Sequence, residues 1–514
     1  MKLSTSILTS VFAALVPYVS ATDATTLSDD LSCVGTFIFG RHNDRVVKPA
    51  NYLTTYGARR QVASGNFHRE RYFGLDADGN SVDSDFVISG LNPEGYFVYG
   101  DTYAQTSAAT VLEYSQISFL QGLYPQSNAV NEVKSLQISQ EPQLANGTDV
   151  VSPLNGYQYV FMDIQQEDSE DYIWIRGDAN CPASDDAVAD WYNTDAFLSM
   201  NESTYDFYQS LSSVLPKKKW PKWKLNFGNA MSISDYMYVN SIHNETLAAE
   251  WNSTLLHQVL TLADSAQWGI SYDANDKLNN FTIGGQTMLG AVVNYLNTTK
   301  VEGSPYINYF TGAFNTMYQI WGLMDLNLVS DNFTGMPDYG ATLVWDLLQS
   351  NSSSDYFVQF SFRNGTDDTD LINSYPIFNS SSTVMAWDDF VSNMEKVSIR
   401  SLQSWCSACS SEAEQCVQYS STYTEASDLK SKGVSLSELA DGDYSSLNLD
   451  NGSSLSNAAA GGIGAGVTIG VFLILGAVAY LLFKSKKKSE PEAILPTTNK
   501  QAESIELNSN HSTL

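Results

Sequence analysis

The stretch Val34-Gly35-Thr36-Phe37-Ile38-Phe39-Gly40 runs without a charge and is followed at once by Arg41-His42-Asn43-Asp44-Arg45. A short continuous apolar run of this kind reads as a buried strand. The charged pentapeptide then falls at the carboxyl end of that strand, where ligands collect in open α/β sheets. An arginine fork grips phosphate through two parallel hydrogen bonds, and an imidazole between two such forks can attack phosphorus. The chain has 9 arginines and puts two of them within five positions. The alternative, a solvated loop after a strand, stays open on the pattern alone.

The 514 residues allow one large or two ordinary domains with ample core. Residues 1–21 combine Lys2, the apolar stretch Ile7 to Val19 and small residues around Val19-Ser20-Ala21, the composition of a secretory signal peptide. Residues 22–417 have globular composition, and residues 418–457 are a Ser/Asp-rich stalk. Residues 458–483 carry no charge over 26 positions, enough for one transmembrane helix. Lys484, Lys486, Lys487 and Lys488 follow and keep the tail, residues 484–514, on the cytoplasmic side. The expected topology is type I single-pass, at the cell surface or in a secretory-pathway membrane. Gly462, Gly466 and Gly470 recur every four residues, a spacing that serves weak helix dimerisation, though glycine is common in spanning helices generally.

Asn-x-Ser/Thr acceptors outside the span stand at Asn146, Asn201, Asn244, Asn252, Asn280, Asn297, Asn332, Asn351, Asn364, Asn379 and Asn451, a density that fits a glycosylated surface. The cysteines are Cys33, Cys181, Cys406, Cys409 and Cys416; an oxidising compartment allows two bridges and leaves one thiol, with connectivity unread. Cys406-Ser407-Ala408-Cys409 has no histidine nearby, so structural disulfides are expected rather than a metal. The formal net charge of −30 excludes a nucleic-acid partner. Any phosphate must be attracted by a local cluster that overrides this field.

Within residues 22–417, helical spacing covers Ala109 to Leu123, which ends in Tyr124-Pro125, and also Leu247 to Ala263, Gly285 to Leu296 and Ala313 to Leu326. Tyr306 to Phe310 reads as a strand, and the alternation favours α/β architecture. Lys217, Lys218, Lys219, Lys222 and Lys224, with Trp220 and Trp223 between them, read as an exposed lysine loop, with an anion-steering ramp as the alternative.

The order Arg41-His42-Asn43-Asp44-Arg45 with Pro49, then Tyr114-Ser115-Gln116-Ile117-Ser118-Phe119-Leu120-Gln121-Gly122-Leu123-Tyr124-Pro125, resembles the acid phosphatase and phytase branch of the histidine phosphatase superfamily. That branch opens with R-H-G-x-R-x-P and continues with an S-A-x-x-F-x-x-G-L-Y-P helix. The anchored layout is similar to divergent fungal members. The resemblance implies a phosphoglycerate-mutase-like three-layer α/β sandwich with a mainly helical insertion, joined here to one C-terminal transmembrane helix. It also implies phosphomonoester or inorganic phosphate as ligand and no cofactor. His42 would be the nucleophile and Arg41 and Arg45 the phosphate ligands.

Several positions depart from that pattern. Asn43 replaces a glycine, and asparagine is the side chain that best tolerates a positive φ. Val111 stands where the branch has a further arginine, and no arginine occurs between Arg71 and Arg176. Phe314 and Asn315 stand for the histidine and aspartate of its late H-D-T element. Asp44 and Arg176 are the candidate substitutes, Asp44 as acid. His68, Arg69 and Arg71 read as an ordinary surface cluster, and His243 and His257 as packed or solvated. Two classes follow: a divergent acid phosphomonoesterase, or a catalytically impaired pseudophosphatase that keeps the fold and acts as an anion-binding or structural surface glycoprotein.

Overall fold

The computed structural model describes residues 22–23, 26–126, 144–148, 150, 153–367 and 369–419. Residues 1–21, 420–457 of the expected stalk, the expected span 458–483 with its three glycines, the tail 484–514 and Asn451 lie outside the described residues; Gln418 and Tyr419, at the start of the expected stalk, end a short turn Glu414–Tyr419. Among the described residues no helix is long and apolar enough to cross a membrane.

The apolar run becomes the central part of the longest strand, β2 (Leu31–Arg41). Among the described residues nine strands form one mixed sheet. They are β1 (Thr22–Asp23), β2, β3 (Thr102–Ser107), β4 (Asp163–Gln165), β5 (Ile307–Gly312), β6 (Thr342–Ser350), β7 (Tyr356–Arg363), β8 (Ile372–Ser374) and β9 (Val384–Ala386). Their order is β1-β8-β7-β6-β2-β5-β3-β4, with β9 against β7. β2 runs parallel to β5, with Arg41 opposite Gly312, and antiparallel to β6, with Gly40 opposite Thr342. β3 is parallel to β5 and to β4. The carboxyl ends of β2, β5 and β3 therefore share one edge.

Alternation along β2 explains why it is apolar throughout. Ile38 packs under α1 (Thr55–Phe73) and α2 (Thr110–Leu123), with Tyr72, Phe119 and Leu123. The helical part between β4 and β5, including α3 (Ala230–His243) and α4 (Ser253–Gly269), has its own core of Trp191, Tyr208, Trp220, Ile233, Met237 and Val259. On the opposite sheet face from α1 and α2, Phe37 and Phe39 meet α5 (Ile283–Glu302), α6 (Phe314–Leu323) and α7 (Trp387–Met394). Helices on both faces of a sheet make three layers, as expected.

Two expected helices are shorter or broken. The segment from Leu247 divides into a turn Glu245–Ala248 and α4, because the Asn252 side chain accepts from Leu255 N–H and starts a new helix there. The segment from Ala313 ends at Leu323, where Asp325 takes a left-handed conformation, φ 63°. Another correction concerns His68, Arg69 and Arg71, which are interior. Arg71 pairs with Asp346 of β6 at 2.7 Å, and Tyr72 donates to the other oxygen at 2.7 Å. Arg69 donates to the carbonyls of Asp76, Gly95 and Leu123, and His68 stacks on Tyr72. Polar side chains are buried when their partners are built in.

Cysteines pair as Cys181–Cys409 and Cys406–Cys416, leaving Cys33 buried and free. The two cysteines of the C-x-x-C stretch thus bond outward and not to each other; α8 (Leu402–Cys409) carries both.

α1 reaches the sheet edge just after the charged loop, and its contact with α2 is backbone to backbone. A Cβ at Gly65 would stand 2.0 Å from the Phe119 carbonyl, and one at Gly122 would stand 2.1 Å from the Val62 carbonyl. Gly122→Ala is therefore expected to lower unfolding free energy by about 1–3 kcal/mol despite the better helix propensity of alanine. An unchanged urea midpoint would contradict this packing.

Candidate functional site

β2 delivers residues 41–45 into the protein, not into solvent: each of the five is buried. Arg41 N–H donates to the Ala341 carbonyl at 2.8 Å and His42 N–H to the Gly312 carbonyl at 3.1 Å. The loop thus straddles the end of β5 and the approach to β6. Asn43 holds its turn from three sides. Its amide donates to Gln61 at 3.0 Å, its Oδ1 accepts from Asp44 N–H at 2.9 Å, and its N–H donates to the Ser115 hydroxyl at 3.2 Å. Asn43 is not among the residues with positive φ. The tolerance of asparagine for a positive φ is not called on there; the side chain is used as a bonding group. The left-handed residue is Gly340, φ 73°, where a Cβ would stand 2.5 Å from Asn43 Nδ2.

His42 Nδ1 lies 2.9 Å from the Asn43 carbonyl. A carbonyl only accepts, so Nδ1 carries the proton and Nε2 keeps its lone pair. Burial, with Arg41 adding to it, lowers the imidazole to about 3. The ring is neutral at ordinary pH and able to act as a nucleophile.

Arg41 and Arg45 line a cavity of about 330 Å³ with Lys48, Lys219, Asp235, Tyr238, Phe314 and Tyr339 on its wall. Four cations face one carboxylate in a chain of net charge −30. Arg41 donates to the Pro337 carbonyl and lies between two rings, 5.0 Å from Phe314 and 4.5 Å from Tyr339. Arg45 pairs with Asp235 of α3. Each guanidinium keeps a buried Nε–H with no acceptor. Burial, then Arg45, pushes the Lys48 ammonium down while Asp235 opposes this. His42 is not among the lining residues; Tyr339 is, and its ring lies 5.6 Å from the imidazole.

The remaining sequence candidates are placed as follows. Asp44, 1 % exposed, accepts from Thr54 and from His243 Nε2 at 2.7 Å, and it does not line the cavity. Val111 is buried in α2. Phe314 serves Arg41, as above. Asn315 donates to Asp178 at 3.2 Å, and Asp178 also holds Arg176 at 3.1 Å, so Arg176 does not replace the arginine looked for at position 111. Lys48 was not singled out in the sequence. Lys219 is exposed, as the lysine-loop reading expects, and it also lines the cavity, where the buried Trp220 joins it. His243, read as packed or solvated, is exposed and reaches back to Asp44. Among the described residues no group of His, Cys, Asp or Glu is spaced to hold a metal. The ten described glycan acceptors are exposed or half-exposed.

The family described as histidine phosphatase superfamily (branch 2) matches residues 18–363. No curated protein matches the chain. Among solved structures it is similar to Hafnia alvei phytase in complex with tartrate, at 13% identity over 73% of this chain and 99% of that one, TM-score 0.50. It is also similar to Klebsiella sp ASR1 phytase (12% identity, 72% and 97% covered, TM-score 0.49) and to D. castellii phytase (12%, 80% and 89%, 0.40). At such identity the Hafnia likeness speaks for the fold alone.

Two outcomes test this geometry. The unfolded imidazole titrates near ~6.5 and the folded one near about 3, so the unfolded state binds more protons between these values. The stability tied to neutral His42 is complete above the unfolded value and fades as pH falls towards the folded one. Nitrogen NMR shifts of His42 should stay those of a neutral ring down to roughly pH 4; titration near the unfolded value would contradict the buried placement. His243→Ala removes a partner of a buried carboxylate and should cost about 1–3 kcal/mol in thermal unfolding. A variant as stable as the parent would show that the Asp44–His243 bond contributes nothing.

Proposed function

Since the chain belongs to branch 2 of the histidine phosphatase superfamily, we propose that the cavity beside β2 receives the phosphoryl group of a phosphomonoester, or inorganic phosphate, and that hydrolysis there is strongly impaired. The observation that carries this is the pair of buried guanidiniums on one cavity wall, joined there by Lys48 and Lys219. A phosphate oxyanion is the ligand that satisfies such donors and offsets such charge.

Hydrolysis would form a bond from His42 Nε2 to phosphorus and break the ester P–O bond, with an acid protonating the leaving oxygen. Water would then cleave the P–N bond. The wall carries neither His42 nor a free acid. Asp235 is its sole carboxylate and is paired with Arg45; Asn315 cannot donate as an acid and is held by Asp178. An absent acid costs ~10²- to 10⁴-fold, and an absent charge-stabilising donor costs about 10²- to 10³-fold. One observation favours the enzymatic reading: the Nδ1 bond leaves His42 in the tautomer a nucleophile needs. We also propose that the site works outside the cell on a glycosylated, membrane-anchored protein. The support is residues 1–21, residues 458–483 with the lysines that follow, and the Asn-x-Ser/Thr density.

The test is an aryl phosphate assay at acid pH on the purified protein beside His42→Ala, with melting temperatures at rising inorganic phosphate. Expected are equal, background-level rates for both proteins and a melting temperature that climbs with phosphate, by about 2.7 kcal/mol of stabilisation at one hundred times Kd. Turnover that vanishes in His42→Ala overturns the impairment and establishes the enzyme. No response to phosphate overturns the site.

A further inference from the structure

A second recess, about 810 Å³, adjoins the cationic cavity, within the size range of ligand sites, about 300–1,000 Å³. Met336 lines both, and the next residue, Pro337, gives its carbonyl to Arg41. The chemistry on the two sides of this segment is opposite. No lysine, arginine or histidine lines the second recess, and two carboxylates, Asp264 and Asp331, do. Phosphate would be repelled there.

Trp268, Phe362 and Tyr375, each half-buried, give the recess ring surface. Asp264 is fixed at its Oδ1 by the Tyr318 hydroxyl at 3.1 Å and Met336 N–H at 3.0 Å, which leaves its second oxygen to accept. Rings cover the C–H faces of a pyranose, while carboxylates meet its hydroxyls. This combination selects an uncharged saccharide.

Two of the chain's own acceptors, in Asn332-Phe333-Thr334 and Asn364-Gly365-Thr366, line the same recess and are exposed. Asn332 lies on the turn Asp331–Thr334, anchored by Phe333 at 2 % exposure. Asn364 already accepts from Asp338 N–H at 2.8 Å. We propose that the recess is a saccharide site filled by the chain's own N-linked glycan on Asn332. In the attachment one Nδ2–H bond is replaced by a bond to the anomeric carbon of a lipid-pyrophosphate-linked oligosaccharide. The lipid pyrophosphate leaves and the proton is released. Once tethered at the rim, the first sugars meet the rings at high effective concentration. The proposal rests on the secretory route and not on the phosphate reading.

The test uses the full chain made in a high-mannose secretory host. The native protein is treated with an endoglycosidase that cuts between the two core N-acetylglucosamines, and release is followed peptide by peptide. Asn252 and Asn297, exposed and outside the recess, serve as internal controls. Release at Asn332 should be roughly tenfold slower or more, a difference of about 1.4 kcal/mol, and should equal the controls after denaturation. Thr334→Ala, which removes the acceptor sequence, should leave a recess that binds the free core disaccharide, N,N′-diacetylchitobiose, while the parent does not. An unmodified Asn332, release as fast as at Asn252, or equal disaccharide binding by both proteins would overturn the proposal. None of these readouts involves phosphate.

Discussion

Burying two guanidiniums at the carboxyl end of β2 is the constraint around which this molecule is arranged. Removing a charge from water costs several kcal/mol even after relaxation, and Arg41 and Arg45 are 5 % and 3 % exposed. Their surroundings offset the cost in different ways. Arg41 is held by a backbone carbonyl and two ring faces, and Arg45 by the carboxylate of Asp235. Asp235 and His243 both belong to α3, and they grip Arg45 and Asp44 respectively. The helical part is thereby fastened to the loop by two adjacent polar contacts, and the cavity between them takes its shape from that attachment.

The same arrangement explains how an acidic protein can hold an anion. A field set by net charge falls off through water and salt, whereas four cations around one small cavity act at contact range. Lys48 is pressed down by burial and by Arg45, the state of a cationic cluster whose counter-charge is incomplete. The positions that the resemblance would fill with acid–base groups have been given other work: Phe314 supports Arg41, and Asn315 is tied to Asp178. On the proposed reading, the grip on a phosphoryl group is kept and the means to protonate its leaving group is lost.

Much of the fold was legible because it follows from local pattern. β2 could be read from an uninterrupted apolar run ending in charge, and α2 from its spacing and from Tyr124-Pro125. The order of the sheet and the disulfide pairing could not, since each joins residues far apart, Cys181 and Cys409 by 228 positions. The site divided along the same line. Arg41, His42 and Arg45 are contiguous and were found. Lys219, read as part of an exposed loop or an anion-steering ramp, and His243, read as packed or solvated, could not be placed at the site. Their contacts there exist only once the helical part has packed against the loop. His68, Arg69 and Arg71 were misread for the converse reason. Polar side chains read as exposed unless their buried partners, here Asp346 and three carbonyls, can be seen.

The central claim is that Arg41 and Arg45 share one oxyanion. The most direct measurement is a crystal structure with tungstate, whose anomalous scattering marks the tetrahedral ion without ambiguity. The account predicts a peak in the cavity within hydrogen-bond distance of both guanidiniums. A cavity without a peak, or a peak that contacts neither arginine, would contradict it.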